Sequence, residues 1–167
     1  MCSGIFIAKL DNTGRATLPP ILRKLYALLQ MDCTEVRNLI TPFPKFYPIT
    51  QHNNRVVVTS SLPKKCEGKY YNGLSIFPYP DWQIYKKLID SMKCGKAKKE
   101  YIKHCILDPA SELVMDKRGR ILIPEYLRNI GGLCLGQKFV VVSLAQDQRF
   151  ELWNMDSWSN VEQAYQG

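Results

Sequence analysis

The feature that most constrains this chain is that it repeats itself. Residues 11–23 read D-N-T-G-R-A-T-L-P-P-I-L-R and residues 116–128 read D-K-R-G-R-I-L-I-P-E-Y-L-R. Six of the thirteen positions are identical, namely Asp11/Asp116, Gly14/Gly119, Arg15/Arg120, Pro19/Pro124, Leu22/Leu127 and Arg23/Arg128, where composition alone gives about one. The segments downstream of each motif also correspond in order. Each copy has a β-branched run, Val56 to Val58 and Val140 to Val142, and then a strand-like stretch closed by tryptophan, Leu74…Trp82 and Phe150…Trp158. A fold built from two like units is therefore expected, because one such unit cannot close its own core.

Local sterics predict the shape of each copy. A strand leads in, over 4–10 and 112–115. Asp-x-x-Gly is then a turn: the Asp side chain accepts from backbone N–H groups further on, and Gly supplies a position with φ > 0. Asp11, Gly14, Asp116 and Gly119 are the turn-forming residues. A second strand leaves over 15–18 and 120–123, making a hairpin with the first. Proline then opens a helix as its first residue, over 19–30 in one copy and 124–130 in the other, where Gly131-Gly132 stops it. Between the copies, Trp82, Tyr85, Leu88/Ile89 and Met92 recur at helical spacing, with Asp81 as the expected N-cap. A second helix over 96–107 places Tyr101, Ile102, Cys105 and Ile106 on one face and lysines on the other. The copies differ in one stretch. From Arg23 to Val56 there are 33 residues, against 12 from Arg128 to Val140. The proline- and aromatic-bearing excess, about 31–72, reads as an irregular insertion, with a surface excursion around Lys64 to Lys69.

Charge and composition narrow the function. The net charge is +8 over 167 residues, which fits a polyanion partner. Residues 1–82 hold ten Lys/Arg against five Asp/Glu, 83–107 hold seven against two, and 108–167 hold six against eight. No apolar run is long enough for a membrane span, the longest strand-sized one being Phe139 to Ala145, and the N-terminus does not read as a secretory signal. The six cysteines, at 2, 33, 66, 94, 105 and 134, lie too far apart for a C-x-x-C half-site, and His52 and His104 share no metal spacing. No cofactor or metal is expected, and the thiols read as those of a cytosolic protein. There is no serine–histidine–aspartate spacing and no phosphate-binding glycine loop, so catalysis is not expected.

An arginine just after a tight glycine turn projects from a hairpin tip, where its fork can take guanine O6 and N7 or clamp a phosphate. Lys117 and Arg118 stand in the second turn, beside backbone N–H groups that can also face phosphate. The local alternative is that Asp11 pairs with Arg15, and Asp116 with Arg120, as turn-fixing ion pairs.

With these motifs the chain resembles the MraZ family of bacterial proteins and, more widely, the AbrB/SpoVT swapped-hairpin DNA-binding domains. The second copy is similar to the family pattern from Asp116 to Arg128 and again at Phe150-Glu151-Leu152-Trp153…Trp158. In the first copy Gly4, Leu10-Asp11, Gly14-Arg15, Pro19, Arg23 and Pro80-x-Trp82 match. Thr13 stands where the family usually has a basic residue, and His104 where it tends to have arginine. The resemblance implies an α+β, mostly β fold in which two swapped-hairpin units form a pseudo-twofold β-barrel with packed helices. It divides the chain into a first unit 1–82, connecting helices 83–107 and a second unit 108–167. It further implies a ring-like homo-oligomer, cytoplasmic and nucleoid-associated. Such a protein regulates transcription by binding double-stranded DNA at short direct repeats upstream of the division and cell-wall gene cluster. The residues it would present to DNA are Arg15, Arg120, Lys117, Arg118, Lys9 and Thr13. The alternative is an oligomeric assembly module with vestigial DNA binding.

Overall fold

The computed structural model describes residues 4–17, 55–116, 118–144 and 149–165. The helix expected over 19–30, most of the expected insertion, and Lys117 lie outside the described residues. Ten strands and four α-helices are described: β1 (Gly4–Lys9), β2 (Arg15–Thr17), β3 (Arg55–Ser60), β4 (Lys64–Cys66), β5 (Lys69–Tyr71), β6 (Leu74–Pro78), α1 (Tyr79–Ser91), α2 (Lys96–Ile102), β7 (Ser111–Val114), β8 (Arg120–Leu122), α3 (Glu125–Gly131), β9 (Lys138–Leu144), β10 (Arg149–Asn154) and α4 (Met155–Val161). A π-helical turn, Lys103–Leu107, continues α2, and a 3-10 turn, Glu162–Tyr165, continues α4.

Six strands form one antiparallel sheet in the order β1-β9-β10-β6-β3-β7, and β2 and β8 form a separate two-stranded ribbon. Exchanging each strand for its counterpart in the other copy reverses the sheet order and leaves the ribbon unchanged. The lead-in strands cross over: β1 pairs with β9 and β7 with β3. The hairpin expected inside the first copy reduces to one bridge, Leu10↔Ala16, because β2 spends its ladder on β8 of the other copy. The expected closed barrel is not formed among the described residues. The sheet stays open, with β1 and β7 at its edges, and the short ribbon lies over one face.

Strand alternation sorts the side chains into two layers. Val56, Val58, Leu74, Ile76, Phe139, Val141, Phe150 and Leu152 turn toward the ribbon and join Leu10, Ala16, Ile121, Ile123 and Leu127 in one core drawn from both copies. Their neighbours turn the other way. Val57 and Phe77 pack with Trp82, Ile89, Ile102 and Ile106 under α1 and α2. Val140, Val142 and Trp153 pack with Trp158, Val161 and Tyr165 under α4 and its 3-10 turn. Burial on both faces is why the β-branched runs are continuous rather than alternating. Each fully buried side chain of this kind contributes about 1.5–3 kcal/mol.

Several boundaries differ from the sequence expectation. Trp82 and Trp158 do not close strands; each is the fourth residue of the following helix, α1 or α4, turned down onto the sheet. Asp81 is not an N-cap. Pro78 is, with Asp81 buried in the first turn. Pro124 likewise caps α3 rather than opening it, and Gly132, at φ +66°, is the left-handed residue that ends it. Tyr101 is exposed, unlike Ile102 and Ile106. Residues 55–60 are not insertion: they form central strand β3. The excursion around Lys64 is a β4–β5 hairpin turned by Glu67 (φ +52°) and Gly68 (φ +81°).

Candidate nucleic-acid interface

The two Asp-x-x-Gly turns have nearly the same skeleton. Asp11 N donates to Arg15 O at 2.9 Å and Gly14 N to Asp11 O at 3.2 Å; Asp116 N donates to Arg120 O at 2.9 Å and Gly119 N to Asp116 O at 3.0 Å. Each aspartate gathers the turn's amides through Oδ1. Asp11 accepts from Thr13 N (2.8 Å) and Arg15 N (2.9 Å), Asp116 from Arg118 N and Arg120 N (both 2.9 Å). Gly14 and Gly119 sit at φ +89° and +77°, where a side chain is strained.

The turns differ in where the arginine goes. Arg120 Nε donates to Asp116 Oδ2 at 2.8 Å, the expected turn-fixing ion pair. Arg15 makes no such pair with Asp11 among the described residues. The Thr13 hydroxyl stands between them: it donates to Asp11 Oδ1 at 2.6 Å and accepts from Arg15 NH1 at 3.0 Å. The turn-fixing ion pair read from sequence thus forms in the second turn and, among the described residues, not in the first. Asp11's carboxyl is held down at about 2, first by the Thr13 hydroxyl and then by the Arg15 amide. Asp116 is also lowered, chiefly by the Arg120 amide.

A depressed carboxyl helps the fold fully above its unfolded value near pH ~4, and that help is lost as pH falls through the folded value. For the first turn the window closes at about 2. Replacing Thr13 by alanine removes the largest cause, so Asp11 should titrate closer to the ordinary 3.8. A carboxylate NMR titration of Thr13→Ala that still places it at about 2 would show that the backbone amides alone set it.

The ribbon joins the two turns, one at each of its ends. Arg15 lies opposite Leu122 and Thr17 opposite Arg120. Ala16 and Ile121 point into the core, so Arg15, Thr17, Arg120 and Leu122 share the outward face. The two arginines are diagonal neighbours, about 7–8 Å apart at the backbone. Arg128, the last residue of the repeat, braces this arrangement: its Nε donates to Ile123 O at 3.1 Å, Ile123 N donates to Gly14 O at 3.0 Å, and a Cβ on Gly14 would meet the Arg128 guanidinium at 3.4 Å.

Of the remaining expected residues, Arg118 is exposed in the second turn and Lys117 lies outside the described residues. Lys9 is exposed at the end of β1, directly opposite Lys138 of β9, a like-charged pair that favours an anion nearby. Sequence reading missed Lys138, Thr17 and Leu122. Only the strand register could have found the first; alternation from Arg15 and Arg120 marks the other two. On the other copy the matching strand start, Arg55, is held by Glu112 at 2.5 Å. Of the described cations near the two turns, Arg55 and Arg120 are therefore seen in ion pairs. No group of side chains suited to a metal ion occurs among the described residues.

The family model of the MraZ protein matches residues 106–166. Full-length relatives extend the match over nearly the whole chain. The transcriptional regulator MraZ of Pelobacter propionicus is 34% identical over 155 residues, 91% of this chain and 80% of that protein. That of Geotalea uraniireducens is 32% identical over 165 residues, covering 96% and 88%. That of Geobacter metallireducens is 28% identical over 163 residues, covering 96% and 87%. The repeated Asp-x-x-Gly-Arg turns, the ribbon that joins them and relatives of this length and identity agree: the chain belongs to the MraZ family.

Proposed function

We propose that this chain is a non-enzymatic, DNA-binding transcriptional regulator that reads short direct repeats through its two Asp-x-x-Gly-Arg turns. The observation that carries the reading is the shared outward face of the β2–β8 ribbon, which offers two arginines at one spacing. Relatives named as transcriptional regulators support it. In this reading Arg15 is the base reader, since among the described residues its fork is held by a neutral hydroxyl alone and can turn both donors to guanine. Arg120 is already committed to Asp116 and serves as a phosphate contact or a brace. Lys9, Arg118 and Lys117 supply phosphate contacts, and Thr13 positions Arg15.

The crossed lead-in strands and the reversing strand order support two swapped-hairpin units, 1–82 and 108–167, related by a pseudo-twofold axis and joined by 83–107. A ring-like homo-oligomer would repeat the ribbon face at even spacing, matching repeated DNA. Exposed Ile5 and Ile7 on edge strand β1 offer the apolar surface such an assembly needs. The targets would lie upstream of the division and cell-wall genes, in the cytoplasmic nucleoid. No helix of the described residues is long and apolar enough to cross a membrane.

The test is a gel shift with the chain's own upstream region at physiological salt. A shift that resists excess random-sequence competitor is expected. Binding no better than to random duplex would overturn the reading in favour of an assembly module whose DNA contacts are vestigial.

A further inference from the structure

Most of the chain's positive charge is not at the turns. Residues 64–71 and 83–107 hold ten lysines against Glu67, Asp90 and Glu100, seven of the net eight charges. The structure gathers these segments on the side of the sheet away from the ribbon. Val57 and Phe77 face α1 and α2, whereas their neighbours Val56, Val58 and Ile76 face the core under the ribbon. Lys64 lines a small cavity together with Tyr85 of α1 and Ile106 of the π turn, so the β4–β5 hairpin sits beside both helices. Asp90 is already used: Lys99 donates to its carbonyl and Lys103 pairs with its carboxylate at 3.5 Å. Lys87, Lys93, Lys96 and Lys98 are exposed and have no ion pair among the described residues.

Two aromatic rings stand among these lysines. Tyr70 on the hairpin is 67% exposed and Tyr101 on α2 is 53% exposed. Lys65 Nζ lies 5.6 Å from the centre of the Tyr70 ring, and Tyr101 stands on α2 three residues after the exposed Lys98.

We propose that this face is a second nucleic-acid site, separate from the turns, and that it takes a single strand. Lysines are mobile point charges without arginine's planar fork, suited to tracking phosphates rather than reading bases. Exposed rings among them are the platforms on which unpaired bases stack, whatever their sequence. A rigid duplex on the ribbon cannot reach this side, since the sheet and a helix layer, each about 10 Å thick, intervene. The occupant is thus a different segment or a different molecule.

The test uses fluorescence anisotropy of the full chain with a labelled oligothymidylate and with a random-sequence duplex of equal length, between about 50 and 200 mM salt. Lys93→Gln/Lys96→Gln/Lys98→Gln should bind the oligothymidylate at least about tenfold more weakly at the low end and flatten the log–log salt slope by about 2, three phosphates at ~0.7 each. Tyr70→Ala/Tyr101→Ala should weaken the oligothymidylate about tenfold and leave the duplex unchanged. Both variants should still shift the upstream region, and Arg15→Ala should keep its oligothymidylate affinity, so failure here is distinct from failure at the turns. An unchanged affinity and slope in the lysine variant would overturn the proposal. So would equal losses on strand and duplex in the tyrosine variant, which would mark a duplex surface. Displacement by polyglutamate as effective as by unlabelled oligothymidylate would also overturn it, and would mark a site for an acidic protein.

Discussion

Trp153→Ala should destabilise the protein by about 3–5 kcal/mol, the range for deleting a buried large aromatic. Trp153 is fully buried in β10. Its ring fills the space left by Gly73, where a Cβ would come within 2.7 Å of it, and stands edge-on to Tyr165 with centroids 6.4 Å apart. Its Nε1 also donates to Glu151 Oε1 at 3.2 Å, a carboxylate that Tyr165 hydroxyl and Arg149 share. Removing the ring opens a cavity and takes one donor from a buried charge. For a chain of this size the melting temperature should fall by roughly 6–20 °C. Scanning calorimetry of the variant checks this. A loss under about 1 kcal/mol would mean that the β10–α4 layer repacks freely, contrary to the close fit at Gly73.

The second large effect concerns discrimination between DNAs. Arg15→Ala should cost roughly 1–3 kcal/mol of preference for the specific repeats over random duplex, the worth of a bidentate base contact. Arg120→Ala should cost far less preference, because the side chain it removes is bound to Asp116. Its effect should fall on both DNAs about equally, as for a lost phosphate contact. Arg15→Ala should melt near wild type, since no ion pair with Asp11 is lost among the described residues. If Arg120→Ala proves the more damaging to specificity, then the second turn is the reader and its ion pair opens on binding.

Much of the architecture was legible because the chain is a duplication. Matching Asp11 to Asp116 and Val56 to Val140 already paired the strands of one copy with those of the other. What the repeat did not show is which strands meet. β2 ladders with β8, not with β1, and no local signal in Arg15–Thr17 chooses between them. That choice depends on where Ala16 and Ile121 find a common core. Helix ends were misread at Asp81 and Pro124 because proline at Pro78 and Pro124 serves as the cap itself.

At the candidate site, the aspartate and glycine positions follow from turn chemistry: each aspartate accepts from its turn's amides and each glycine takes a positive φ. The difference between Arg15 and Arg120 turns on one residue, Thr13, which in the sequence reads only as a lost charge. Its hydroxyl does more than remove a charge, for it donates to Asp11 Oδ1 and itself accepts the Arg15 guanidinium. Lys138 was invisible because its pairing with Lys9 joins distant parts of the chain and exists only through register.

The central claim, that Arg15 reads guanine in the major groove, is tested most directly by guanine N7 methylation interference on the upstream region. With wild-type protein, methylation of one guanine in each repeat should abolish binding, because N7 is an acceptor of the arginine fork. With Arg15→Ala the remaining binding should be indifferent to methylation at that guanine. Interference that persists unchanged in Arg15→Ala, or that is absent from the repeats altogether, would contradict the account.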